Sequence, residues 1–289
     1  MNLINWIEAA RPKTLFASLS PVIVGGALAW HDEVFRLAPL LLCVLVALTA
    51  QIASNLANDY FDFKKGADGA DRLGPARAVA SGWVTPKAML KATVLMLTLC
   101  CTFGLGLLYY GGLHLIWVGI VIVIFALAYT GGPYPLAYHG LGDVCVLLFF
   151  GVVPVSFTYY VQALTFTPLL VALAFAMGFL SINILVVNNY RDYEQDKRAG
   201  KRTTIVCFGK RFGQLFYLFN LLATLLCTLP LLLLRPALSF LPLLFILFFT
   251  TTWMEMRRSV GVALNQVLAA TARNVLFYAL VLSFLLLYV

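Results

Sequence analysis

The sequence predicts an all-α integral membrane protein with nine transmembrane helices, its N-terminus cytoplasmic and its C-terminus outside. Three observations predict it. Hydrophobic residues make up 62% of the 289 residues and charged residues only 11%, too little charge to cover a soluble protein of this size. The apolar residues gather into runs of about 17–25, the length of a helix that crosses a bilayer. The basic residues fall in alternate gaps between those runs.

The first run, 14–30, follows "MNLINWIEAARPK". That opening has no base before Arg11 and no small-x-small site after a short apolar stretch, so a cleaved signal is not expected. Leu3, Ile4, Trp6 and Ile7 suit a short helix lying in the membrane interface, and equally a simple anchor. Runs 38–57, 89–109, 113–130, 142–161 and 167–187 follow. The stretch 212–254 is almost unbroken and divides at "RPA" into 212–234 and 237–254, and 271–289 closes the series.

Charge tests this division. Eighteen of the 20 Lys and Arg lie at the N-terminus or at the gaps after runs two, six and eight, and only Arg36 and Arg235 lie on the opposite side. The positive-inside rule then puts the N-terminus and the two large polar segments, about 58–87 and 188–211, in the cytoplasm. The net charge of +8 reflects this topology, and no stripe of bases interleaved with aromatics points to nucleic acid. The expectation is a single polytopic domain over 1–289, with both large polar segments on the cytoplasmic side. The six cysteines show no C-x-x-C spacing and read as small buried hydrophobes. His31, His114 and His139 stand apart at the ends of runs and build no metal site.

The acids carry more information. Seven of the 12 fall in two short stretches: Asp59, Asp62, Asp68 and Asp71, then Asp192, Glu194 and Asp196. Acids contribute little to topology, so orientation does not require them there. The stretches contain "NDYFD" at 58–62 and "NNYRD" at 188–192, both N-x-Y-x-D at the exit of an apolar run. In helical spacing Asn58 and Asp62 share a face, Asn55 lies one turn before Asp59, and Asn188, Asp192 and Asp196 form a second column. Columns of hard oxygen donors suit Mg²⁺, which takes one or two carboxylates and fills its other positions with water or phosphate. Lys64, Lys65, Arg72 and Arg77 lie near the first column, and Arg191, Lys197, Lys201 and Arg202 near the second. Carboxylates with metal, beside Lys and Arg, hold a phosphate. Solvated loop acids are the plain alternative, but two matched columns on one membrane face count against it. The match also suggests an internal duplication, with equivalent helices about 130 residues apart and the columns facing each other across one diphosphate.

The stretches "NDYFDFKKGADGADRLGPARAVASG" (58–82) and "NNYRDYEQDKRAGKRT" (188–203) resemble the two signature segments of the intramembrane aromatic prenyltransferases, the UbiA superfamily. "GPARAVASG", "YTGGPYPLAYHGLGD" (129–143), "AGKRT" and "RPKTL" are similar to the branch that prenylates 1,4-dihydroxy-2-naphthoate in menaquinone synthesis. The resemblance covers essentially the whole chain from about Arg11. It implies helices in a ring around a central cavity that opens sideways to lipid, two Mg²⁺, and a polyprenyl diphosphate donor. Of the superfamily's N-x-x-x-D-x-x-x-D, Asn58 and Asp62 match the first two positions. Gly66 departs from the third, and Asp68 is the nearest acid to take its place. D-x-x-x-D is matched by Asp192 and Asp196.

The expected metal ligands are therefore Asn58, Asp59, Asp62, Asp68, Asn188, Asp192 and Asp196. The expected diphosphate contacts are Lys64, Arg72, Arg77, Lys197, Lys201 and Arg202. Asp143, the only acid between the clusters, either orients the acceptor, supports a metal-bound water, or favours a helix N-terminus. Tyr129 and Tyr138 border the same loop and would contact the acceptor or serve as interface tyrosines. Asp62, Asp192, Asp196 and Asp143 are the expected catalytic set. Other acceptors, 4-hydroxybenzoate or homogentisate among them, belong to the same class. A CDP-alcohol phosphotransferase would need its acids in one continuous motif. A transporter would need charge at the midplane, which the sequence leaves nearly free.

Overall fold

A computed structural model describes residues 3–66, 72–234 and 236–288. Among these residues every regular element is helical, with no strand. The elements are α1 (Leu3–Ala10), α2 (Pro12–His31), α3 (Leu37–Lys64), α4 (Pro86–Gly111), α5 (Leu115–Ala128), α6 (Gly142–Leu147), α7 (Val153–Ala163), α8 (Pro168–Arg191), α9 (Tyr193–Arg198), α10 (Thr204–Leu234), α11 (Phe240–Arg258) and α12 (Leu264–Leu287). A π-turn, Leu148–Val152, joins α6 to α7, so 142–163 acts as one membrane-length segment. Eight segments are long and apolar enough to cross a membrane. The chain is a multi-pass membrane protein. The ninth run, expected over 113–130, folds as a helix of 14 residues, about 21 Å at 1.5 Å per residue.

The polar segments are more helical than the sequence suggested. The expected loops at 58–87 and 188–211 begin inside helices: α3 runs through Asn58 and Asp62 to Lys64, and α8 runs through Asn188 to Arg191. Likewise α12 starts at Leu264, about two turns before its expected run; α10 is kinked at Gly209 (φ 86, ψ 167), so its long part begins after Gly209, close to the expected 212. Three starts are readable as Pro in the first turn, at Pro12, Pro86 and Pro168. In the last two a threonine precedes the proline: Thr85 accepts the N–H of Ala88 and Thr167 that of Leu170, satisfying donors the helix cannot. Gly66 explains its own presence. It has φ 68, and its N–H reaches Phe63 O at 3.0 Å, the left-handed turn that ends a helix. The helical face of the first motif therefore stops at Lys64, and a third acid at 66 would not lie on it. Asp68 lies outside the described residues.

The helices enclose a core between α2, α7, α8, α10, α11 and α12. Polar side chains stitch this half together. Asn220 donates to Asn183 at 2.9 Å, Tyr278 to Thr228 at 2.8 Å and Asn274 to Thr252 at 3.0 Å, and Tyr217 pairs with Thr271 at 3.0 Å. Between apolar helices in lipid such bonds and close small-residue packing hold the bundle. The closest packing is at Gly151 in the π-turn, where an added Cβ would stand 2.3 Å from Gly178 Cα. The outer faces carry exposed apolar chains such as Leu229, Leu233, Phe240 and Leu247, as a lipid-facing surface requires. α3 and α4 pack together on the other side, with α5 against both. Between the two halves lies a large cavity.

Candidate active site

The cavity measures about 1100 Å³. Most of its wall is apolar, with Val46, Leu108, Ile120, Phe125 and Phe149 among its residues. Its polar lining comes from the ends of α3 and α8, from α9, from the segments that follow them, and from Glu8, Arg11, Lys13 and Thr14 where α1 meets α2. Asn58, Asp62, Asn188, Asp192 and Asp196 all face it. The two columns expected from the sequence thus meet in one space, each at the C-terminal end of a long helix.

The first column is held by the segment that follows α3. Asp62 is buried; its Oδ2 accepts Arg77 Nη2 at 2.9 Å and its Oδ1 accepts the Tyr138 hydroxyl at 3.1 Å. Asn58 Oδ1 accepts the hydroxyl of Thr130. Asp59 corrects the expectation. One residue turns a helix by about 100°, so Asp59 leaves the face that Asn58 and Asp62 share. It is 1% exposed, does not line the cavity, and accepts the backbone N–H of Ala78 at 2.9 Å and of Val79 at 3.1 Å. It anchors the returning segment and so positions Arg77.

The second column is broken where a single helix was expected. Asp192 has φ −91 and ψ 10 and ends α8; α9 then carries Asp196, whose N–H still reaches Asp192 O at 2.8 Å. Arg191 is 4% exposed and organises this end. Its Nε and Nη2 donate to both Asp192 oxygens at 2.7 and 2.6 Å, Nη2 also to Asn188 Oδ1 at 2.8 Å, and Nη1 to Asn265 Oδ1 at 2.7 Å. Asn265 donates in turn to Leu73 O at 2.9 Å, tying α12 to the segment after α3. Asp196 Oδ1 pairs with Lys201 Nζ at 3.2 Å. Burial holds the Asp196 carboxyl above the usual carboxylate range, against the pull of Lys201 and with the push of Asp192 and Asp62.

The expected bases separate. Arg72, Arg77 and Lys201 line the cavity, whereas Lys64 and Lys197 do not. Arg202 lies off the lining too and gives its backbone N–H to Tyr138 O at 2.8 Å. Lys65, not expected as a contact, donates to Thr130 O. Its ammonium stands 4.6 Å from the Tyr138 ring centre, and that of Lys201 4.8 Å. Burial lowers the Lys65 pKa, Asp62 opposing and Lys201 assisting. Tyr129, Tyr138 and Asp143 line the cavity as well. Sequence reasoning missed Arg191 as an organiser, together with Thr130, Thr204 and Asn265. Arg191 lay inside "NNYRD"; the others act across long separations and left no local signal.

The donor set fits Mg²⁺ of a particular kind. Among the described residues no three Asp, Glu, His or Cys side chains converge on one centre, so there is no all-protein cage. Two facing sets of one or two carboxylates with amide oxygens suit an ion that keeps water and phosphate among its ligands. The push of Asp192 and Asp62 on Asp196 is what a divalent cation would relieve.

These features define a class: a multi-pass α-helical membrane protein whose cavity joins an oxygen-rich, base-flanked end to an apolar interior. The chain belongs to the UbiA prenyltransferase family, which matches residues 18–281. It is 40% identical over 228 residues to the 1,4-dihydroxy-2-naphthoate octaprenyltransferase of Escherichia coli, covering 77% of this chain and 74% of that protein. It is 42% identical over 215 residues to the protein of the same name from Mycobacterium tuberculosis, covering 74% and 73%. Its fold matches a UbiA homologue from Archaeoglobus fulgidus, solved bound to DMAPP and Mg²⁺, with TM-score 0.68 at 17% identity over 99% of both chains.

Proposed function

We propose that the protein transfers a polyprenyl group from an allylic polyprenyl diphosphate to 1,4-dihydroxy-2-naphthoate. Diphosphate and CO₂ leave, and demethylmenaquinol forms. The observation that carries this is the pair of oxygen-donor columns, from α3 and α8–α9, meeting in one cavity whose remaining wall is largely apolar. The relatives named for naphthoate prenylation, at 36–42% identity, favour that acceptor. Solved homologues bound to DMAPP or GPP with Mg²⁺ favour the donor and the metal.

Asn58, Asp62, Asn188, Asp192 and Asp196 would hold Mg²⁺ with the diphosphate. When bound, the metal supplies positive charge where the leaving group becomes more negative. Arg77, Arg72 and Lys201 add donors to the same oxygens, and in a poorly hydrated site each counts for more than it would in water. The apolar wall takes the prenyl chain and keeps water from the allylic cation. Tyr129 and Tyr138 border the space for the acceptor ring.

We place the site at the cytoplasmic face of a bacterial inner membrane, with the N-terminus inside and the C-terminus outside. We count α5 as the ninth crossing, because the alternation of basic gaps requires it. Leu3–Ala10, with Leu3, Ile4 and Ile7 exposed, then lies in the cytoplasmic interface.

The test is an acceptor panel on purified protein in detergent. A polyprenyl diphosphate and Mg²⁺ are supplied with dihydroxynaphthoate or 4-hydroxybenzoate, and product is read by mass with EDTA as control. Prenylated naphthoquinol lacking the carboxyl carbon, lost with EDTA, is expected. Product with 4-hydroxybenzoate alone would overturn the acceptor.

A further inference from the structure

We infer that Asp143, held by Thr204, is the base that takes the proton of the acceptor's ring hydroxyl during prenyl transfer. This rests on the function proposed above and assigns a group that the metal columns do not use. Asp143 is 8% exposed, opens α6 and lines the cavity. Its Oδ2 accepts the Thr204 hydroxyl at 2.7 Å, while its Oδ1 is buried with no hydrogen-bond partner. A buried carboxylate oxygen left so is costly, and the cost is relieved when a donor arrives.

The contrast with the three acids of the metal columns sets its role. Asp62, Asp192 and Asp196 are each paired with a cation, Arg77, Arg191 and Lys201. Among the described residues Asp143 forms no ion pair, so its free oxygen is not spoken for by charge. Thr204 fixes the carboxylate plane, leaving Oδ1 as the acceptor. The hydroxyl of Tyr129 borders the same step of chain, since a Cβ added to Gly142 would stand 3.5 Å from it. The place is therefore built for a hydroxylated ring and lacks the paired bases that mark the diphosphate end.

The step balances. The bond between prenyl C1 and the diphosphate oxygen breaks, and its electron pair leaves with diphosphate. The ring carbon bearing the carboxylate forms the new bond to C1. The neighbouring hydroxyl becomes a carbonyl as its proton passes to Asp143 Oδ1. The bond to the carboxylate then breaks as CO₂ leaves, its pair restores the aromatic ring, and the carbonyl oxygen takes the proton back from Asp143. The proton is lent and returned, so no further reactant is needed.

Asp143→Asn keeps the shape and an oxygen for Thr204 but cannot take a proton. Its expected effect is a loss of at least about 100-fold in kcat, the usual scale for a positioned base. The KM for dihydroxynaphthoate and the Mg²⁺-dependent binding of labelled polyprenyl diphosphate should stay within about threefold. The dihydroxynaphthoate carrying a methyl ether on the hydroxyl next to the carboxylate supplies a second arm. Wild type should fall on this compound toward the Asp143→Asn level, and the variant should lose little more. Thr204→Val, which keeps the carboxylate but frees its orientation, should lose about tenfold and gives the answer if Asp143→Asn does not fold. Near-wild-type kcat in Asp143→Asn, or independent losses from variant and ether, would overturn the assignment. Wild type that binds donor and transfers to no acceptor would overturn the prenyl-transfer function instead.

Discussion

Asp59→Asn separates anchoring from metal binding at adjacent residues. The Asp59 carboxylate accepts two backbone N–H groups, from Ala78 at 2.9 Å and Val79 at 3.1 Å, in a place 1% exposed. Hydrogen bonds to a charged group contribute about 1.5–3 kcal/mol each. Asparagine retains one oxygen and turns an NH₂ toward the other N–H, so about one such bond is lost, roughly 1.5–3 kcal/mol. At about 2–4 °C per kcal/mol, the thermal midpoint in detergent should fall by roughly 3–12 °C. The segment that carries Arg77 loosens, so kcat should drop as well. The Mg²⁺ concentration for half-maximal rate should stay within about twofold, because Asp59 does not face the cavity. Asp62→Asn should instead raise the Mg²⁺ requirement at least about tenfold, and it should lower the midpoint too, because the buried pair with Arg77 is broken. The assays are a thermal melt followed by tryptophan fluorescence and a Mg²⁺ titration of initial rate. An unchanged midpoint with a raised Mg²⁺ requirement in Asp59→Asn would refute the anchor and make Asp59 a ligand.

Three further outcomes are expected. Asp62→Ala, Asp192→Ala and Asp196→Ala should each abolish turnover while the protein stays in the membrane fraction, and near-normal rates in all three would remove the two-column site. Apparent Mg²⁺ affinity should fall with acidification from a pH above the usual carboxylate range. Burial raises Asp196, a raised pKa keeps the proton on at higher pH, and proton and metal compete for the same oxygens; Mg²⁺ titrations across pH read this directly. Gly151→Ala would drive a Cβ to 2.3 Å from Gly178 Cα, a backbone clash expected to cost at least about 1–3 kcal/mol, seen as a lowered midpoint.

The membrane character and most helices were legible because apolar run length and basic parity are properties of local sequence. Pro86 and Pro168, each after a threonine, sit at two of the starts, a signal in the sequence that run length alone did not use. The ends were harder. Apolarity stops at Ala57, yet the helix continues to Lys64, because its last two turns are satisfied by Arg77, Tyr138 and Thr130 in place of lipid. The spacing put Asn58 and Asp62 on one face correctly, and the same spacing should have warned that Asp59 faces elsewhere. Residues such as Asn265 and Thr204 were invisible because their partners lie 74 and 61 positions away, and only packing brings them together. Gly66 read as a lost motif position; the turn shows it to be a helix end, which spacing alone does not reveal.

The ion pairs Arg77–Asp62, Arg191–Asp192 and Lys201–Asp196 have a consequence for how the cavity loads. A mouth of bare carboxylates would take up protons or draw ions from solution, and a mouth of bare bases would hold any passing anion. Here the protein carries its own counter-ions. Bringing in a metal and a diphosphate is then an exchange, in which each acid trades a fixed cation for a mobile one and each base trades an acid for a phosphate oxygen. Because partners are swapped and little net charge is gathered, loading should depend only weakly on ionic strength. An anion without its metal would find the bases already engaged.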